Sequence, residues 1–234
     1  MFIVDFFEAV TRRRSTRQFT QDPVDPSVIQ RALSAAIWAP NSSNLQTWDF
    51  FWVESQTAKA KLVQACLNQS PARKAQHLIV ITANPKLWRR SSPYLAQWVE
   101  SEQAPPPVHT YYKRLVPITY RWGLLDSFGW LKKIVYGSIG LFRPMMRGPC
   151  LRRELQEVAI KSAALAAENF VLAIAAQGYA TCMMEGFDEV RVRRILGLGR
   201  AYRIVMVIAV GQAAEKPTWG RPFRIPDDLV IHRV

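Results

Sequence analysis

The chain has 234 residues, 49% hydrophobic and 21% charged, with 31 Lys and Arg against 18 Asp and Glu and a formal net charge of +13. Such proportions exclude a disordered, fibrous or low-complexity chain and suit one domain with a real core. The cationic excess calls for an anionic partner: nucleic acid, a lipid surface or a phosphorylated small molecule. Zinc-finger spacing and an aromatic RNP-like strand are absent, which sets nucleic acid aside. Cys66, Cys150 and Cys182 are widely spaced and odd in number, which predicts reduced thiols in a cytoplasmic setting and no metal site.

The opening MFIVDFFEAVTRRR puts its basic cluster after its apolar residues, the wrong order for a secretory signal, and reads as part of the fold. Residues 5–17 carry Phe6, Ala9 and Val10 on one face and predict a first helix that ends in the arginines. The stretch DPSVIQRALSAAIWAP has Asp25 as N-cap, Pro26 in the first turn and Pro40 as a stop, the marks of a second helix. DFFWVES (49–55) and HLIVITA (77–83) are β-branched or aromatic runs that predict buried strands. His77 opens the second of these as a satisfied core residue, whereas His109 lies beside tyrosines in the middle of the chain.

From about 84 to 153 the chain holds four of its eight tryptophans and eight of its fifteen prolines, PPP at 105–107 among them, without a clean period. This reads as an insertion packed over something within a single domain of residues 1–234, not as a domain of its own. Its uncharged apolar stretch IVYGSIGLF (134–142) is too short to span a bilayer. Residues 154–177 are rich in Ala, Leu and Val with Gly178 behind them, which predicts a long buried helix with a glycine cap. GFDEVRVRRILGLG predicts a helix capped by Asp188, RIVMVIAVGQ (203–212) the strongest strand, and LVIHRV a terminal strand.

Three stretches carry the chemistry. RRRSTRQF (12–19) gathers four guanidinium groups around Ser15 and Thr16, and planar, permanently charged donors beside a hydroxyl suit a terminal phosphate. The competing reading is a solvated helix end set against the helix dipole. APNSSNLQTWDF (39–50) offers small amide and hydroxyl side chains after a proline-stopped helix. CMMEGFD (182–188) leads from a strand end through a glycine turn into a helix N-terminus, where N–H groups are free to donate.

In this order the three stretches resemble the FMN-dependent nitroreductase family, with its Arg-Arg-Ser-x-Arg start, Ala-Pro-Ser-Ser-x-Asn-x-Gln-Pro-Trp loop and Glu-Gly-Phe-Asp turn. The resemblance covers about 5–83 and 154–226 and leaves out the middle. Met183 and Thr47 stand where the family has prolines. It implies an α+β, three-layer fold: a central, mostly antiparallel sheet flanked by helices, in an intertwined homodimer with shared active sites.

It further implies that Arg13, Arg14 and Ser15 hold the FMN phosphate. Arg17 would reach the pyrimidine side of the ring, where a fixed cation favours the reduced flavin. Pro40, Asn41, Ser42 and Asn44 would come from the partner subunit, Asn68 would touch the ring edge, with Arg73 or Lys74 adding charge there, and the main chain of Glu185 and Gly186 would serve flavin N5 and O4. Arg224 in FRIP, with Arg221 as substitute, would be a second phosphate arginine. NAD(P)H would reduce the flavin, which would pass electrons to a nitroaromatic, quinone or similar acceptor by a ping-pong mechanism, with no side-chain catalyst. The alternative is a flavin-binding or membrane-surface module with little turnover.

Within the insertion, Trp122, Phe128, Trp130, Tyr136 and Phe142 line an apolar slot for a flat aromatic or quinone-like substrate on one reading. On another, residues 122–146 touch an anionic bilayer at the inner face of the membrane; on a third, they pack an enlarged dimer interface.

Overall fold

A computed structural model describes residues 5–234; the first four residues of the apolar opening lie outside the described residues. The sheet has four strands, β1 (Trp48–Trp52), β2 (His77–Ala83), β3 (Ala180–Met184) and β4 (Arg203–Gly211), in the order β1-β2-β4-β3, every neighbouring pair antiparallel. Strand side chains alternate faces, so the sheet builds two cores. On one side Ile79, Ile81, Ile208 and Val210 pack against α2 (Pro26–Ala36) and α9 (Arg152–Ala176). On the other, Leu78, Val80, Val207 and Ala209 pack against α3 (Gln56–Ala65) and α10 (Glu189–Ile195). This is the expected three-layer α+β arrangement.

Local signals explain the helix boundaries. Asp25 accepts from Ser27 N–H at 2.7 Å with Pro26 as the first helical residue, and Asp188 accepts from Arg191 N–H at 3.1 Å at the start of α10. Gly178 takes φ 83° just beyond α9, a conformation that disfavours side chains with a Cβ. Along α9, Leu155, Ala159, Ala163, Ala166, Ala167, Phe170, Val171 and Ile174 form one buried stripe. Its alanines bring the α2 and sheet backbones close, and fully burying Phe170 removes about 150–250 Å² from water. Among the described residues α9 is the one helix long and apolar enough to cross a membrane, and here it is the central core helix.

Two expected elements differ. The first helix, α1 (Phe6–Arg12), stops at Arg12, not at residue 17. The reason is competition: Ser15 forms a parallel bridge to Thr181, and Thr16 N–H donates to the Thr181 carbonyl at 2.9 Å, so the arginines run extended along the sheet edge. Of its apolar face Ala9 is buried, while Phe6 and Val10 are exposed. The closing LVIHRV forms no strand: after a short 3₁₀ turn at Asp227–Leu229 the tail is exposed and pairs with no strand among the described residues.

The middle region is helical despite its lack of period: α5 (Trp88–Ser101), α6 (Pro106–Thr110), a π turn at Tyr111–Leu115, α7 (Val116–Tyr120) and α8 (Ser127–Ile139). Pro106 and Pro107 sit in the first turn of α6, where proline removes no needed donor. The region carries its own small core of Trp88, Leu95, Val116 and Tyr120, closed by Leu45 and by Leu155 at the start of α9. His77 is half-buried with both ring nitrogens engaged, by Trp52 Nε1 at 3.2 Å and the Val24 carbonyl at 3.0 Å. His109 lies in α6. The three cysteines are free and buried, and burial pushes the Cys66 thiol up to about 11.

Candidate functional site

The extended stretch after α1 is tied down from three sides. Thr16 N–H bonds β3, Arg17 N–H donates to the Pro217 carbonyl at 2.8 Å, and the Arg17 carbonyl accepts from Ser70 Oγ at 3.0 Å. Further along, Thr20 N–H reaches the Gln212 carbonyl and Ala214 N–H the Gln18 carbonyl, each at 3.0 Å. These bonds fold the tail back onto residues 15–20 and bring Arg224 to the N-terminal arginines.

The result is a cleft of ≈ 340 Å³ lined by Arg13, Arg14, Ser15, Arg17, Thr218, Trp219 and Arg224. Four guanidinium groups converge there, and no acidic side chain lines it. None of the four makes an ion pair among the described residues. Their contacts are weak or local: Arg14 Nη2 donates to the Gly220 carbonyl at 3.4 Å and Arg224 Nη1 to its neighbour's carbonyl at 2.8 Å. A concave set of unneutralised bidentate donors with two hydroxyls is the donor chemistry of a phosphate site.

Beside it, β3 ends at Met184 and exposes Glu185 and Gly186. Gln69 Nε2 donates to the Gly186 carbonyl at 2.6 Å, which fixes that peptide plane, and a Cβ on Gly186 would stand 3.1 Å from the same nitrogen. The Gly186 N–H itself donates to nothing among the described residues. Behind the strand, burial raises the Cys182 thiol and the Arg17 charge opposes it, so Arg17 lies within electrostatic reach of β3.

The remaining expected residues lie elsewhere. Asn68 is in the turn between α3 and α4 (Ser70–Lys74) at φ 53°, its N–H held by the Val63 carbonyl at 3.0 Å; Gln69, next to it, makes the contact to the glycine turn. Of the cations paired with it, Lys74 donates to Gln18 Oε1 at 2.6 Å. Arg221 is exposed and does not line the cleft. Pro40, Asn41, Ser42 and Asn44 do not line it either. Their loop is held by α9 and the insertion: Ser42 N–H faces Ser162 Oγ at 3.4 Å, Tyr120 OH donates to Ser42 Oγ at 3.1 Å, and Ser43 Oγ bonds Tyr111 OH at 2.6 Å. Asn41 Oδ1 closes the loop on Gln46 N–H at 2.8 Å. Burial pushes the Tyr120 phenol up, so it stays a donor.

The aromatic set divides. Trp122 and Phe128 line a cleft of ≈ 490 Å³ with Tyr120, Lys86, Arg89 and Arg121, while Trp130 and Phe142 face solvent. A five-residue slot is therefore not formed. Gln69, Thr218 and Trp219 were missed in the sequence: a glutamine in a turn and a Thr-Trp pair in a proline-rich tail carry no periodic signal, and only tertiary pairing brings them to the arginines.

A model of the nitroreductase family matches residues 10–212. The chain belongs to the nitroreductase family. Among relatives of this nitroreductase-family chain, protein DrgA of Synechocystis sp. is 29% identical over 228 residues, 95% of this chain and 93% of the relative. A Thermus thermophilus protein named NADH dehydrogenase is 26% identical over 247 residues, 98% and 96% of the two chains. The fold matches that of an Exiguobacterium sibiricum structure solved in complex with FMN, at TM-score 0.74 and 23% identity over 100% and 99% of the chains.

Proposed function

We propose that the arginine cleft grips the phosphate of FMN, and that this nitroreductase-family chain is an NAD(P)H-dependent flavin oxidoreductase. The convergence of Arg13, Arg14, Arg17 and Arg224 on one acid-free cleft carries the reading. Family membership supports the enzyme class, and the FMN complex and the NADH dehydrogenase name among similar proteins support the cofactor and its donor.

FMN bound there would supply hydride and two-electron chemistry between NAD(P)H and an electron-poor acceptor such as a nitroarene or quinone. The chain's part is binding and orientation. Arg13, Arg14 and Ser15 would hold the phosphate, with Arg224 supplying a further cation to the cleft. Arg17, pinned at both its N–H and its carbonyl, presents a fixed charge to the ring. Gly186, its carbonyl held by Gln69, offers its N–H as a donor at the reacting edge. Because the 40–44 loop lies outside the cleft within one chain, Pro40, Asn41, Ser42 and Asn44 serve the cleft of a second copy in a homodimer. On this reading donor and acceptor would occupy one site in turn, and ping-pong kinetics is the expected pattern.

The test is the double substitution Arg13→Ala and Arg14→Ala. Losing two charge-assisted contacts at about 1.5–3 kcal/mol each weakens FMN binding by roughly 10²–10⁴-fold, so the variant purifies folded but colourless. Full flavin occupancy in that variant overturns the assignment. Wild-type protein that carries FMN yet fails to oxidise NADH or NADPH with any nitroarene or quinone is a binding module instead.

A further inference from the structure

Helix α8 is turned inside out. Its inward side is formed by Gly129 and Lys132, the latter only 4% exposed, with Nζ donating to the carbonyls of Ile118 at 3.1 Å, Thr119 at 2.7 Å and Arg121 at 2.9 Å. The lysine thus caps the carbonyl end of α7 from below. Trp130, Leu131, Ile134 and Val135, at helical spacing, face solvent. The surface continues at both ends: Leu124 and Leu125 (91% exposed) before the helix, Leu141 and Phe142 (89% exposed) after it. Leu125 and Asp126 take φ 49° and 62°, so the backbone at this corner is held in a left-handed conformation that leaves both leucines outside.

Charge selects what covers this face. Residues 103–153 contain nine Lys and Arg and a single acid, Asp126, whose Oδ1 is already occupied by Arg152 N–H at 2.9 Å. Arg121 and Arg143, exposed at the two ends of the apolar surface, have no acidic partner among the described residues. A second copy docked face to face would set this cationic rim against itself. Nucleic acid would satisfy the rim and leave the leucines in water. An apolar helical face with tryptophan, bordered by unpaired cations, fits the headgroup boundary of a bilayer that carries negative charge.

We propose that the outward face of α8, with its Leu124–Leu125 and Leu141–Phe142 shoulders, docks this protein on an anionic lipid bilayer. The apolar side chains enter the acyl boundary while Arg121 and Arg143 meet lipid phosphates. The inference stands on α8 alone and does not depend on the flavin reading.

The experiment is co-sedimentation of the full-length protein, as purified, with vesicles of phosphatidylcholine alone or mixed with phosphatidylglycerol, at low and high salt. Flavin absorbance of each fraction is read separately. Binding is expected to be at least about tenfold stronger on the anionic vesicles and to weaken with salt. The double substitution Leu131→Glu and Ile134→Glu lowers it by about tenfold or more with melting temperature unchanged. Arg143→Gln removes part of the preference for phosphatidylglycerol. Equal binding to both vesicles, no binding to either, or undiminished binding by the glutamate variant overturns the proposal. So does a wild-type dimer that the glutamate variant turns into monomer without any vesicle binding, since the face is then a contact between copies. A protein that lacks flavin yet binds anionic vesicles contradicts the flavin reading and leaves this one standing.

Discussion

Helices α8 and α9 are separated by about a dozen residues and are built by opposite rules. In α9 the apolar stripe from Leu155 to Ile174 faces the sheet and the charges of Arg153, Glu157 and Lys161 face water. In α8 the order is reversed: a lysine goes inward to three carbonyls and Trp130, Leu131, Ile134 and Val135 go outward. Periodicity identifies an amphipathic helix but not its orientation. Orientation is decided by what the inward residues find, and three open carbonyls at the end of α7 give Lys132 charge-dipole bonds that no leucine can make. Burial pulls the Lys132 ammonium below its ordinary pKa, a cost the three carbonyl bonds offset.

The contrast can be broken most forcefully in α9. Phe170→Ala opens a void in the fully buried core and should destabilise the protein by about 3–5 kcal/mol in denaturant melts; a loss below 1 kcal/mol would mean that α9 is not the packed helix described. Next comes Lys132→Met, which strands the carbonyls of Ile118, Thr119 and Arg121. About 1–3 kcal/mol should be lost, with faster amide exchange confined to 116–139. Were the variant as stable as wild type, the inward lysine would not be what orients α8.

A smaller effect, on the order of 1–2 kcal/mol, is expected from Gly129→Ala, whose new Cβ would stand 2.6 Å from the Cys150 carbonyl oxygen. Smallest is the outward pair Leu131→Glu and Ile134→Glu, which should leave the unfolding midpoint of the lipid-free protein within about 0.5 kcal/mol of wild type. A large loss there would show that the face is already covered in solution.

The same contrast explains which features the amino-acid order revealed. Asp25-Pro26, Asp188, Gly178 and the HLIVITA run each act through neighbours within a few residues, and each sits where local chemistry places it. The arginine cluster stands out because Arg13, Arg14 and Arg17 lie within five residues, whereas Arg224, which lines the same cleft, could be tied to them only through the family resemblance. By contrast α5 contains Pro93 and opens without a side-chain cap, so its start and course depend on packing against the rest of the insertion. LVIHRV has strand composition but no partner strand among the described residues. Gln69 and Trp219 reach the cleft through tertiary bonds, and the inversion of α8 depends on carbonyls eleven to fourteen residues earlier.

The bonds that stitch residues 15–20 to 212–217 have a consequence for biosynthesis. Arg13, Arg14 and Arg17 leave the ribosome about two hundred residues before Thr218, Trp219 and Arg224. A nascent polypeptide therefore carries only half of the cleft lining, and on the reading proposed above coenzyme capture waits until residue 224 has been made.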